Sequence, residues 1–352
     1  LFRRGGAAVI GQRLRSSGVF ASVPYTNAAQ QEALPPTASS TDSVAGSVLQ
    51  VSASRMEEFL LAELSNMGKG RYTTITLVDI LQHRSKEDLG RLAAMIQAEV
   101  PLRFATRVQQ IRDTTPEWQE IPELVELHDM ILLSFRRLRL VELGEGHLEA
   151  FAEVVEDVLS RHMRALVPCV ARAAKALKER KVLNHAQLQD WVFKFMNSRK
   201  GSNMLLWHYQ ALLRDADVNH IGIVDMRCCP AQVCRRAIDF VKQHCAMPGL
   251  DIRLQVTNND MEFSFIMSIL FNMVVEVLLN GIQATKVAAA TRPGAPPPIL
   301  VSVTASPKQV VIQISDMGGG IPYTMSERVW EYLFSTAPAD PDGTRQLPTP
   351  EE

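Results

Sequence analysis

The chain has 352 residues, a formal net charge of -1 and 46% hydrophobic residues, which is enough for two domains with real cores. The balance lacks the concentrated basic charge of a nucleic-acid binder, so no nucleic-acid partner is expected. Five cysteines make no disulfide framework in so long a chain. Cys228, Cys229, Cys234 and His244 lack the spaced pattern of a metal site and read as buried or incidental groups.

Residues 1–31 carry Arg3, Arg4, Arg13 and Arg15 among serines, alanines and small apolar residues, with no acid. That is the composition of a mitochondrial presequence, the alternative being a disordered basic tail. LPPTASSTDSVAGS follows as a low-order connector, so residues 1–50 are expected to be presequence and flexible linker. No uninterrupted apolar run reaches the roughly 18 residues of a membrane span, and none is expected. RMEEFLLAEL and LGRLAAMIQAEV read as helices, and Pro101 fits the first turn of another over PLRFATRVQQIRD. LVELHDMILLSFRRLRLVEL continues the pattern. Residues 148–180 are helix-like, with a boundary or kink expected at Pro168, and AQLQDWVFKFMNSRKGSNMLLWHYQALL is a helix expected to break or bend near Gly201. Residues 55–215 are therefore expected to form a four-helix-bundle-like domain.

After DADVNHIGIVD the pattern changes. Residues 231–246 read as a helix, DIRLQV at 251–256 as a strand, and 271–290 as a long apolar helix. TRPGAPPP then leads to ILVSVTA and QVVIQIS, an expected antiparallel pair. The fold class is α+β, with residues 216–352 forming an α/β sandwich. The segment APADPDGTRQLPTPEE has no core element, and the domain is expected to be incomplete at its C-terminal side.

Two motifs carry chemistry. In FNMVVEVLLNGIQATKVAAA, Glu276 and Asn280 lie four apart on one helix face. Asn280 offers an oxygen suited to Mg²⁺, and Glu276 could orient or deprotonate a hydroxyl near a transferring phosphate. An ordinary polar helix stripe would use the same residues. In VVIQISDMGGGIP a strand ends in Asp316, able to accept from an adenine amino group, followed by Gly318, Gly319 and Gly320, which let backbone approach a nucleotide. A plain β-turn is the alternative. Ser335 and Thr336 could close the phosphate end, or make a simple turn before Pro338. The pair of motifs suggests ATP and a divalent ion. No phosphate-loop lysine pattern occurs, so the design is a different one.

EVLLNGIQAT at 276–285, ISDMGGGIP at 314–322 and EYLFSTAP at 331–338 resemble the mitochondrial kinases that inactivate 2-oxoacid dehydrogenase complexes. AEVPLRFATRVQQI at 98–111 and the pair Arg161–His162 extend the resemblance to about residues 55–340. It implies a histidine-kinase/gyrase/chaperone-type ATPase domain, a protein serine kinase using ATP and Mg²⁺, and a mitochondrial matrix location. It also implies roles: Asn280 as Mg²⁺ ligand, Glu276 as general base, Asp316 on adenine, Gly318 and Gly320 lining the nucleotide, Thr336 in the lid-side loop, and His162 tuning the catalytic glutamate. The implied substrate is the E1 α-subunit of such a complex, most simply pyruvate dehydrogenase and alternatively the branched-chain enzyme. The implied partners are the E2 lipoyl domain and a second copy of the chain.

Four positions depart from the family pattern. Gln283 stands for arginine, Leu279 for lysine, Asn203 for an arginine, and Arg164 where an acid often follows the histidine. The glycine-rich segment that seats the family's ATP lid is not in the chain. These departures keep open a catalytically weak, regulatory binding protein of the same family. A related ATPase or sensor kinase leaves the upstream similarity unexplained, and a plain helical interaction protein leaves the Glu276, Asn280 and Asp316 spacing unexplained.

Overall fold

The structure is a computed structural model that describes residues 7–13, 52–144, 146–214, 218–244, 247, 249–257, 261–290, 294–306 and 309–336. Residues 1–6 and 14–31 of the expected presequence, the expected connector at about 30–50 and the tail from Ala337 lie outside the described residues.

The first unit is helical: α1 (Ala53–Met67), α2 (Leu77–Ile80), α3 (Leu89–Arg112), α4 (Pro122–Leu140), α5 (Leu148–Arg161), α6 (Val167–Glu179) and α7 (His185–Leu213). Local signals start several of them. Ser52 caps α1, Thr76 and Asp79 make a capping box on α2, and Asn184 and Gln187 make one on α7. Pro122 opens α4, where its missing N–H costs nothing. On α3, Leu92, Ile96, Val100, Phe104, Val108 and Ile111 recur every three or four residues and are fully buried. They share one core with Leu124, Leu127, Ile131 and Phe135 of α4 and with Phe195, Leu205 and Tyr209 of α7. Each such side chain contributes about 1.5–3 kcal/mol on burial. α3 is the hub, packing on α1, α4 and α7.

Two helix boundaries differ from the sequence reading, and the boundary expected at Pro168 is present. Pro101 starts no helix: it lies inside α3, where the buried residues on either side hold the rod together although Pro101 cannot donate to the Gln97 carbonyl. Gly201 neither breaks nor ends α7. A Cβ there would sit 2.5 Å from Arg103 Nη1, so the glycine makes room for the guanidinium that donates to the Thr73 carbonyl. Ahead of Pro168 the chain makes a π turn, His162–Leu166, between α5 and α6. A proline there removes one donor, and the widened turn absorbs the loss.

The second unit holds β2 (His220–Ile221), β3 (Val224–Cys228), α8 (Pro230–His244), β4 (Ile252–Thr257), β5 (Phe263–Phe265), α9 (Met267–Ala289), β6 (Ile299–Ser306) and β7 (Gln309–Ser315). β4 runs parallel to β6, and β6 and β7 are antiparallel, Leu300 opposite Ser315 through Ser306 opposite Gln309. A separate antiparallel sheet runs β2-β3-β5, which the sequence reading did not foresee. Ile299, Val301 and Val303 on β6 and Val310, Ile312 and Ile314 on β7 alternate inward, and α8 and α9 cover that face. α9 is long and apolar enough to cross a membrane, with a mean hydropathy of 1.5, contrary to the expectation from uninterrupted apolar runs. Here its apolar face packs on the sheet.

Residues Ala7–Arg13 form β1, paired antiparallel with β7 at the edge of the larger sheet, so its order is β1-β7-β6-β4. This stretch was expected to be presequence. In the fold it is an edge strand.

Candidate functional site

The site grows from one face of α9. Leu278, Leu279 and Ile282 turn into the core, which leaves Glu276 and Asn280 exposed one turn apart. Neither side chain has a partner among the described residues, so the carboxylate and the carboxamide oxygen are both free to meet a ligand or a metal ion. Mg²⁺ keeps most of its waters and takes one or two protein oxygens, and an exposed asparagine oxygen fits that demand.

The turn after β7 lies against the same helix. A Cβ on Gly281 would be 3.6 Å from Asp316 Cβ and 3.8 Å from its Oδ2, so the carboxylate sits beside the residue that follows Asn280. Asp316 Oδ1 accepts the Gly318 N–H at 2.8 Å, which fixes the carboxylate and leaves Oδ2 on the side of the helix. Gly318 presses on Ala284: a Cβ would fall 2.6 Å from the Ala284 carbonyl carbon, and no rotamer relieves a clash with backbone. Gly319 and Gly320 have φ of 100° and 80°, a region that glycine enters without steric cost. The structure thus brings Glu276, Asn280, Asp316, Gly318 and Gly320 to one corner, with Asn280 and Asp316 on adjoining elements. Thr285, one turn beyond Gly281, is fully buried with its hydroxyl unpartnered. The sequence reading missed it. The small residues Gly281 and Ala284, spaced to face the glycine turn, were the available signal.

Thr336 is exposed at the end of the segment Glu331–Thr336, and four residues before it Gln189 of α7 makes two hydrogen bonds to Tyr332.

His162 is elsewhere. It is fully buried in the helical unit, its Nε2 is 2.9 Å from Ser134 Oγ and its Nδ1 has no partner, so it makes no hydrogen bond to Glu276. Burial first, then the nearby Arg107, Arg199 and Arg161, push its pKa well below the ordinary histidine value. The structure does not bring His162 to Glu276: the imidazole is walled in by α3, α4 and the π turn, edge-on to Phe104, while Glu276 is exposed on α9. The nearby Arg107 is also buried, and Asn203 on α7 is buried with both side-chain polar atoms unpartnered. Leu279 is buried in the α/β core, Gln283 is half-buried, and Arg164 is exposed.

Burial raises Cys228 and Cys234 to a pKa of about 12, as it does Cys169, so these thiols are poor nucleophiles and poor ligands. Among the described residues no group of three His, Cys, Asp or Glu side chains could hold a metal ion.

Fold and site define an α+β protein in which a helical unit is joined to an α/β unit carrying a helix–strand–glycine corner. Residues 72–225 match the family described as mitochondrial branched-chain alpha-ketoacid dehydrogenase kinase. The chain is 25% identical over 292 residues, 79% of its length, to a mitochondrial [pyruvate dehydrogenase (acetyl-transferring)] kinase of Arabidopsis thaliana, covering 78% of that protein. It is 26% identical over 263 residues to the human isozyme 3, covering 69% of this chain and 64% of that protein. Against isozyme 4 of Rhinolophus ferrumequinum it is 25% identical over 312 residues, 81% of this chain and 74% of the relative. These matches support the mitochondrial 2-oxoacid dehydrogenase kinase family for this chain.

Proposed function

We propose that this chain is the working part of a mitochondrial protein serine kinase that transfers the γ-phosphoryl group of ATP to the E1 α-subunit of a 2-oxoacid dehydrogenase complex and thereby inactivates it. The observation that carries this reading is the corner itself: Glu276 and Asn280 free on one face of α9, with the Asp316–Gly320 turn lodged on Gly281 and Ala284. In this reading residues 216–352 are a histidine-kinase-type nucleotide domain, and the helical unit docks the E2 lipoyl domain. The kinase works in the matrix as a homodimer.

Mg²⁺ supplies neutralisation of phosphate charge when bound. Asn280 would hold it through its side-chain oxygen. Asp316 accepts from the adenine amino group while Gly318 N–H holds its other oxygen, and Gly318 to Gly320 let backbone N–H groups approach the nucleotide. Glu276 takes the proton from the attacking serine hydroxyl. His162 takes no part in that step.

The names of the relatives support pyruvate dehydrogenase as the substrate, and the family match over 72–225 supports the branched-chain enzyme. We take pyruvate dehydrogenase as the primary reading. Radiolabelled phosphate transfer to both E1 proteins, with their lipoyl domains and Mg²⁺, decides the matter. Glu276→Gln is expected to lower kcat by about 10²–10⁴-fold with little change in ATP affinity, and Asn280→Ala to abolish Mg²⁺-dependent transfer. Lipoyl-domain binding with no transfer to either E1 would replace the enzyme reading with a regulatory binding protein, which the missing cations at Leu279 and Gln283 favour.

A further inference from the structure

The segment that ends in Thr336 is fastened to the helical unit. Tyr332 N–H donates to Gln189 Oε1 at 2.8 Å, and Gln189 Nε2 donates to the Tyr332 carbonyl at 3.2 Å. One side-chain amide therefore satisfies both backbone groups of one residue, as a neighbouring strand would, and it does so across 143 positions of sequence. Flipping that amide would set donor against donor, so its orientation is fixed by the contact. A turn earlier on α7, His185 Nε2 lies 3.1 Å from Glu331 Oε1. Arg328 approaches the other oxygen of Glu331 at 3.6 Å and stacks 4.5 Å from the centre of the Phe334 ring. The Tyr332 side chain packs on the helical core. Between these holds Leu333 has φ of 62°, a conformation that L side chains avoid and that survives only where the neighbours impose it.

We propose that Gln189 is a positioning residue for the nucleotide site: by gripping the Tyr332 backbone it fixes where the chain delivers Ser335 and Thr336. This rests on the kinase reading above together with the sequence expectation that those hydroxyls close the phosphate end. The consequence is that the segment Glu331–Thr336 moves with α7, so a ligand or partner that shifts α7 changes nucleotide affinity.

The test uses the whole chain and two variants, Gln189→Ala and Gln189→Glu, with three readouts: hydrogen exchange at the Tyr332 amide, Mg·ATP affinity by titration, and the global melting midpoint. Gln189→Ala is expected to raise exchange at Tyr332 and weaken Mg·ATP binding about tenfold, as two lost hydrogen bonds would, with the midpoint unchanged. Gln189→Glu keeps an acceptor for the Tyr332 N–H but opposes its carbonyl with a carboxylate, so it is expected to restore part of the protection and part of the affinity. Unchanged exchange in Gln189→Ala overturns the grip. Raised exchange with unchanged Mg·ATP affinity overturns the positioning role. A wild-type chain that binds no Mg·ATP sinks the kinase reading and the positioning role with it, while the exchange measurement still decides whether Gln189 holds Tyr332.

Discussion

Arg107 heads the fully buried large side chains among the described residues, and no carboxylate neutralises it. Its Nη2 donates to Ser202 Oγ at 3.0 Å, its Nε to the Arg103 carbonyl at 3.3 Å, and it lies 4.7 Å from the centre of the Phe104 ring, yet its Nη1 has no partner. Burial first, then Arg199 and Arg103, bring its pKa down to about 9. Because burial disfavours the charged guanidinium, the folded state is penalised at neutral pH. Replacing it with a similar apolar side chain removes an uncompensated buried charge, so Arg107→Met is expected to stabilise by about 1–3 kcal/mol, read as a higher calorimetric midpoint at pH 7.5. Gly318 makes the opposite case. Gly318→Ala would drive a methyl into the Ala284 backbone and lift the turn off α9. We expect loss of nucleotide binding with the helical unit still melting normally, measured by titration and circular dichroism.

Among the elements, α7 does more than fill the bundle. His208 near its end accepts from the Ile223 N–H at Nδ1 (3.4 Å) and donates from Nε2 to the His83 carbonyl (2.9 Å). That pairing is met by one neutral tautomer. Gly222, with φ of 55°, leaves the space the ring fills, since a Cβ there would overlap the imidazole. The joint ties α7 to the β2–β3 turn and to the stretch after α2, beside the small core of Ile80, Val224 and Ile266. Burial depresses the pKa of His208, with the facing His83 adding to the effect and the hydrogen bond to the His83 carbonyl opposing it. His162 and His128 are depressed as well, burial leading in both. The sign follows directly: below about pH 6.5 the unfolded imidazoles bind protons that the folded ones do not, so stability falls with pH. Protection against hydrogen exchange across 220–226, corrected for the intrinsic rate, is expected to fall between pH 7.5 and 5.5, ahead of global unfolding, and His208→Gln is expected to remove that dependence. The sequence marked α7 as a helix through its apolar period but misjudged Gly201 as a weak point. Glycine usually loosens a helix, and here the space it leaves is taken by Arg103, a residue nearly a hundred positions away.

For the molecule as a whole, the sheet edge matters. β1 pairs along the full length of β7, so its removal leaves seven residues of unpaired backbone next to the Asp316 turn. An open edge recruits other strands. A chain begun at residue 52 is therefore expected to form assemblies larger than a dimer with rising concentration where the full chain does not, as sedimentation velocity would report. The two units meet through the His208 joint and the Gln189 grip, both carried by α7. That makes the longest helix the route by which one unit can influence the other.

What the sequence determined was local and periodic. The stripe on α3, the alternation on β6 and β7, the four-residue spacing of Glu276 and Asn280, and the strand ending in Asp316 and glycines all follow from 3.6- and 2-residue repeats. Those repeats place side chains on faces without knowledge of what they meet. Only the tertiary structure decided the rest. It set Gly318 on Ala284, withdrew His162 from the α9 corner, threaded α3 straight through Pro101, put Ala7–Arg13 on an edge, and gave the lid segment to Gln189. Each of these depends on a contact between residues far apart in the chain. Proline, glycine and histidine have no fixed meaning until the packing around them says which donor is missing, which space is filled and which charge is excluded.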